Sequence, residues 1–224
     1  MKLYVSTAFL DTREAVEIAK AADDLGYHGM AVPDHVVNLE TLQTPYPYTE
    51  DGSRRWGAFT DWPDPWVVIG AIALVTTRLR FVTTVYLPAM RDPYSAAKSI
   101  GTAAYLADGR LELGIGVGWC REEFELLGQQ FERRGKRGLT MDGFEVITPL
   151  TDAVTPEHYA RAEAGGITGI ITMPWMFYSG PNASLPEKVD GMRRGRVPSS
   201  GGNSVRQRSR SSGVSCRGCG WAIA

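Results

Sequence analysis

Two short stretches of this chain carry residue types suited to chemistry at the end of a β-strand. The first is Asp34-His35, directly after the apolar run 29–32 and Pro33. A histidine gives or takes a proton near neutral pH because its unperturbed pKa is about 6.5, and a neighbouring carboxylate can orient a ligand. The plainer alternative is that Asp34 caps the following loop and His35 lies at the surface. The second stretch is Gly114, Gly116 and Gly118, a G-x-G-x-G run closing an apolar segment. Missing Cβ atoms there would let a flat ligand approach the backbone, or would simply make a tight strand end. The run is no dinucleotide fingerprint, since that pattern must open a helix and be followed by an acidic residue about 20 positions on. Arg91 and Lys98 are candidates for anionic groups, with surface solvation the expectation for both. His28 and His158 belong to no metal-ligand spacing, so no metal site is expected. Cys120 has no histidine placed beside it by sequence and reads as a buried thiol rather than a nucleophile. Cys216 and Cys219 form a lone CxxC, which cannot complete a tetrahedral zinc site.

The elements that must position these residues alternate between strand and helix. Strands are expected at 2–8, 29–32, 80–87, 111–117, 144–149 and 169–173. Asp92-Pro93, Asp64-Pro65 and Thr155-Pro156 each pair a side-chain N-cap with proline at the first helical position. Gly26 and Asp108-Gly109 are helix stops. The 111–117 run is apolar on both faces apart from Glu112, which implies a parallel sheet covered on both sides. Between residues 36 and 64 runs a long excursion with Tyr46, Tyr48, Trp56, Phe59 and Trp62. So long a loop is a functional lid or is disordered, and its aromatic content favours a lid or substrate wall. From about residue 195 the chain turns Gly-, Ser- and Arg-rich without period and reads as a disordered tail at 195–224, behind a domain at 1–194.

Composition narrows the function classes. Up to Asp190 there are 17 basic and 25 acidic residues, a net of −8, which argues against a nucleic-acid face on the body. No apolar run approaches the roughly 20 residues of a membrane span. The first residues enter a strand directly, without signal-peptide layout. Three cysteines give no disulfide framework, and a cytoplasmic setting is the expectation.

The string DLGYHGMAVPDH, the run RLRFVTTVYLPAMRDPYSAAKSIGTAAYLADGRLELGIGVGW and the REEFELLG after it resemble the luciferase-like monooxygenase superfamily, above all its deazaflavin (coenzyme F420)-dependent branch. The resemblance is dense over residues 1–137, and FEVITPLTD and AEAGGITGIITMPW are similar to the last two barrel units. It implies a TIM (β/α)8-type barrel, incomplete here at about six strands, with two β/α units missing between residues 137 and 144. It implies a cofactor at the C-terminal ends of the strands, F420 or alternatively FMN, and a non-prolyl cis peptide at Thr84-Val85. By the same resemblance Asp34 contacts the ring edge, His35 assists proton or hydride transfer, and Thr84, Val85, Val117 and Gly118 lie against the cofactor. The function so implied is an oxidoreductase acting on a small molecule, possible as a homodimer; the alternatives are an inactive fragment of such an enzyme or an FMN-dependent monooxygenase.

Overall fold

The computed structural model describes residues 2–135, 147–149, 155–165 and 167–195. Six parallel strands form one sheet: β1 (Lys2–Ser6), β2 (Gly29–Val32), β3 (Arg80–Thr83), β4 (Leu111–Glu112), β5 (Ile147–Pro149) and β6 (Gly169–Thr172). Their order is β4-β3-β2-β1-β6-β5. Helices α1 (Ala15–Leu25), α2 (Pro65–Ala73), α3 (Pro93–Leu106) and α4 (Arg121–Leu126) follow β1 to β4. Then come α5 (Pro156–Ala164) between β5 and β6, and α6 (Trp175–Tyr178) and α7 (Leu185–Arg194) after β6.

This order identifies the architecture. Strands one to four lie side by side in chain order, and the last strand returns to pair with the first, Lys2 opposite Gly169. A closed eight-stranded barrel read outward from its first strand gives the same sequence of neighbours, with the final two strands on the far side of β1. The chain is an incomplete (β/α)8-type barrel. Among the described residues, β4 and β5 are unpaired on their outer sides.

Side chains alternate across the strands as a pleated sheet requires. Val5, Met30, Val32 and Phe81 face the helices and pack with Ile18, Ile69 and Ile72 in the main core. Tyr4, Ala31 and Val82 face the other way, with Ile147 and Ile171 against them. At the N-terminal end of the sheet Glu112 accepts hydrogen bonds from Tyr4 Oη (2.6 Å) and from Arg80. Burial alone would raise the Glu112 carboxyl, but the nearby His28 imidazole, at 3.7 Å, and the hydrogen bonds from Tyr4 and Arg80 more than offset it and hold it at about 2.

The proline-led helices begin where expected. Asp64 accepts from Trp66 and Val67 N–H, Asp92 from Ser95 N–H, and Thr155 from His158 N–H. Four strands end before their expected limits: β1 at Ser6 rather than 8 and β6 at Thr172 rather than 173, and two more markedly. β3 ends at Thr83 rather than 87, and β4 at Glu112 rather than 117. Beyond Thr83 its side chain takes over the ladder, donating to Gly114 carbonyl (2.7 Å) and accepting from Gly114 N–H (3.0 Å). Pairing resumes only as a single bridge between Tyr86 and Ile115. The expectation that 111–117 is covered on both faces also fails. Leu113, Ile115 and Val117 are exposed, because no strand flanks β4 on its outer side among the described residues. The expected tail, the missing units and the Cys216/Cys219 pair lie outside the described residues.

Candidate active site

The C-terminal ends of β2, β3 and the 113–119 segment meet on one side of the molecule. Thr84 N–H donates to Val32 carbonyl, Tyr86 N–H to Gly114 carbonyl, and Gly116 N–H to Tyr86 carbonyl. The peptide bond between Thr84 and Val85 is cis, at the position the resemblance implied. Val85 is 43% exposed and Val117 52%, so two apolar side chains stand uncovered beside that bond.

The glycines of the G-x-G-x-G run make room for the protein's own atoms. A Cβ at Gly114 would come 2.1 Å from Thr83 carbonyl oxygen, and one at Gly116 would come 2.4 Å from Val85 Cγ2. Gly118 has φ +79, and a Cβ there would come 2.8 Å from Phe124 Cε2. Phe124 in turn packs with Leu87, Met90, Val36 and Phe131. The run therefore seats the cis segment and α4. The glycine gaps are thus taken up by the protein's own atoms, whereas Val85 and Val117 are exposed.

Asp34 is fixed rather than free. Its side chain is 1% exposed and receives both Arg91 terminal nitrogens, at 2.8 and 2.7 Å, as well as Leu87 N–H at 3.1 Å. Arg91, expected to be solvated at the surface, is instead a half-buried partner of Asp34, with its guanidinium over the Tyr86 ring. A planar fork matches a carboxylate with two parallel bonds, which suits Arg to this place. Lys98 is exposed on α3, as expected.

His35 stands in an aromatic box. Its ring centroid lies 4.6 Å from Trp62, 5.5 Å from Trp56 and 6.1 Å from Trp119. Tyr46 packs on Trp56 and Trp119, and Phe9 stacks on Trp56. Burial pushes the Tyr46 hydroxyl up, so it stays protonated at neutral pH. The indole N–H of Trp62 is buried and has no hydrogen-bond partner among the described residues. The 36–64 excursion is thus an ordered wall. Asn38 ties it internally, donating to Gly57 and Ala58 carbonyls and accepting from Trp56 Nε1 and Arg54.

Two adjacent glutamates at the start of α4 hold that wall. Glu123 Oε1 accepts from Val36 N–H (2.6 Å) and Val37 N–H (3.0 Å), and its Oε2 lies 3.0 Å from His35 Nδ1. Glu122 Oε1 accepts from Gln43 N–H (2.6 Å) and Thr44 N–H (2.7 Å). Partial burial would raise the Glu122 carboxyl, but the hydrogen bonds from Thr44 and Gln43 hold it at about 2. Cys120, next to them, is buried, and burial pushes its thiol up to about 11, which suppresses the nucleophilic thiolate. Glu123 was not among the candidates from the sequence. Its signal was there: Cys120, Glu123, Phe124 and Leu127 share one helical face, so a carboxylate falls among apolar residues. Among the described residues no cluster of His, Cys, Asp and Glu could hold a metal ion, and no helix is long and apolar enough to cross a membrane.

The luciferase-like monooxygenase family matches residues 3–175. The chain belongs to that family. An uncharacterized protein of Mycobacterium tuberculosis (strain ATCC 25618 / H37Rv) is 36% identical over 151 residues, covering 67% of this chain and 52% of the relative. A second uncharacterized protein of that strain is 38% identical over 105 residues, covering 47% of this chain and 37% of its own length. The luciferase-like chain here thus spans about half the length, or less, of these curated relatives. Among solved structures it is similar to a monooxygenase from Streptomyces bottropensis, with a TM-score of 0.47, 18% identity, and 88% and 68% of the two chains covered. It is also similar to an F420-dependent secondary alcohol dehydrogenase in complex with an F420–acetone adduct, with a TM-score of 0.40, 18% identity, and 89% and 67% covered. The fold assignment rests on the strand order, not on these two likenesses.

Proposed function

We propose that this luciferase-like chain is a flavin- or deazaflavin-dependent oxidoreductase that moves hydride with F420, FMN being the alternative, at the C-terminal mouth of the strands. The observation that carries the reading is the coincidence of an uncovered apolar patch with a proton-handling group at one mouth. Val85 and Val117 stand exposed beside the cis Thr84-Val85 bond, and the residues after β2 carry His35 in its aromatic box. The exposed valines fit the apolar face of a tricyclic ring. Thr84, Val85, Val117 and Gly118 would hold that ring, with Asp34 setting the loop beside it. The ring, when bound, supplies or accepts the hydride. His35 gives or takes the proton at the substrate, and Trp56, Trp62 and Trp119 exclude water around it. The unpartnered Trp62 N–H supports a small substrate with an acceptor oxygen on an apolar body.

A fluorescence titration of the purified chain with F420 and with FMN tests this. Saturable binding of one of them is expected; no saturable binding of either rejects the reading. A second reading, an inactive fragment of such an enzyme, draws on the unpaired outer sides of β4 and β5. Thermal unfolding in one cooperative step together with cofactor binding counts against it. A homodimer is part of the proposal. Helix α2 is apolar all round, yet Val67 is exposed on it and Leu74 at its C-cap, and Tyr94 and Tyr105 are exposed on the neighbouring α3. A second copy offers the same apolar face in return. Leu74→Glu is expected to give a monomer by sedimentation; a wild-type chain that sediments as a monomer rejects the pairing.

A further inference from the structure

We infer that Glu123 is a positioning residue that sets which nitrogen of His35 carries the proton. The inference deepens the proposed oxidoreductase reading, and rests on it only for the use made of that proton. Glu123 has no exposed surface, and its two oxygens are divided between tasks. Oε1 accepts the N–H groups of Val36 and Val37, the two residues directly after His35. Oε2 meets His35 Nδ1 at 3.0 Å, with the imidazole side chain only 11% exposed. An ionised carboxylate can only accept. Neutral His35 therefore carries its proton on Nδ1, and Nε2 keeps its lone pair. No protein group among the described residues hydrogen-bonds to Nε2, so that lone pair is left for a substrate proton among the three tryptophans. A fixed partner on the far nitrogen is how the basic nitrogen of a histidine is selected and aimed. The same side chain also pins the backbone on which His35 sits, so ring and main chain are oriented from one point.

The isosteric change Glu123→Gln discriminates between holding the loop and choosing the tautomer. The glutamine oxygen still accepts from Val36 and Val37, which requires its NH2 to face Nδ1. Nδ1 must then accept, and the proton moves to Nε2. The experiment is a long-range proton–nitrogen NMR correlation of the 15N-histidine-labelled chain without added cofactor, at a pH where His35 is neutral. His35 signals are identified by their loss in His35→Asn. Wild type is expected to show a protonated Nδ1 and an unprotonated Nε2, and Glu123→Gln the reverse. A wild-type spectrum with the proton on Nε2, or a folded Glu123→Gln with an unchanged pattern, overturns the inference. Should Glu123→Gln fail to fold, the wild-type spectrum alone decides. Where F420 or FMN binds, Glu123→Gln is further expected to lower kcat at least tenfold with cofactor affinity unchanged. An unchanged kcat would count against the assignment. Absence of cofactor binding would reject the oxidoreductase reading and leave the NMR result standing.

Discussion

Replacing Arg91 by alanine removes one half of the pair that fixes the residue before His35. Two guanidinium bonds to Asp34 disappear, at 2.8 and 2.7 Å, while the Leu87 N–H bond at 3.1 Å remains. Hydrogen bonds to charged groups contribute about 1.5–3 kcal/mol each, so the two together give about 3–6 kcal/mol. Leaving a buried charge unpaired costs about 3–5 kcal/mol by a separate route. Both bracket about 4 kcal/mol, and the discount applied to surface pairs is inappropriate with side chains 1% and 17% exposed. For a chain of this size each kcal/mol shifts Tm by roughly 2–4 °C, so Arg91→Ala should melt about 8–16 °C below wild type. Circular dichroism melts at fixed pH measure it, and high salt should change the difference little because the pair is shielded from ions. Pairing Arg91→Met with Asp34→Leu should recover most of the loss, since a buried ion pair exchanged for apolar residues is close to neutral. A loss under about 3 °C, or a double variant no better than the two singles added, would show that the pair does not anchor this loop.

Gly114→Ala puts a Cβ within 2.1 Å of a backbone oxygen and should cost about 1–3 kcal/mol or more by overpacking, whereas Gly70→Ala, whose Cβ meets only Leu106 Cδ1 at 3.6 Å in the middle of α2, should stabilise by about 0.5–1 kcal/mol; denaturant midpoints of the two variants must move in opposite directions. Glu112 and Glu122 sit at about 2 when folded against an ordinary 4.5. Their stabilisation is therefore present above pH 4.5 and lost as pH falls toward 2. Midpoints measured across that window should decline, and Glu112→Gln should flatten the decline; an equal slope in the variant contradicts the assignment. With its thiol pushed up to about 11 and buried, Cys120 should resist iodoacetamide in the native chain near neutral pH and react on unfolding, as read by mass spectrometry of its peptide. Rapid native labelling would mean that the helix start is open.

The parts legible in the sequence were those decided locally. An acid or threonine before proline fixes a helix start within one turn, and all three such starts are where the spacing put them. The apolar runs gave the six strands in order because strands of a parallel sheet covered by helices read as continuous apolar stretches, as in β2, which is buried at all four residues. Strand ends were not legible. Whether residues 84–87 and 113–117 stay in the ladder depends on how closely two chains approach, which a hydrophobic run does not encode. The Asp34–Arg91 pair and the Glu123–His35 contact join residues 57 and 88 positions apart. A single sequence shows each partner and not the pairing. The aromatic excursion was visible as composition. Its convergence on one histidine was not, because four backbone N–H groups bound to two carboxylates of α4 determine it.

Those neighbouring carboxylates make a short helix the rudder of the mouth. α4 has six residues, and Phe124 moors it beneath Gly118. Any tilt of that turn swings wall and imidazole together, so a substitution at Phe124, remote from the imidazole in sequence, would be felt as a change in chemistry before it was felt as a loss of fold.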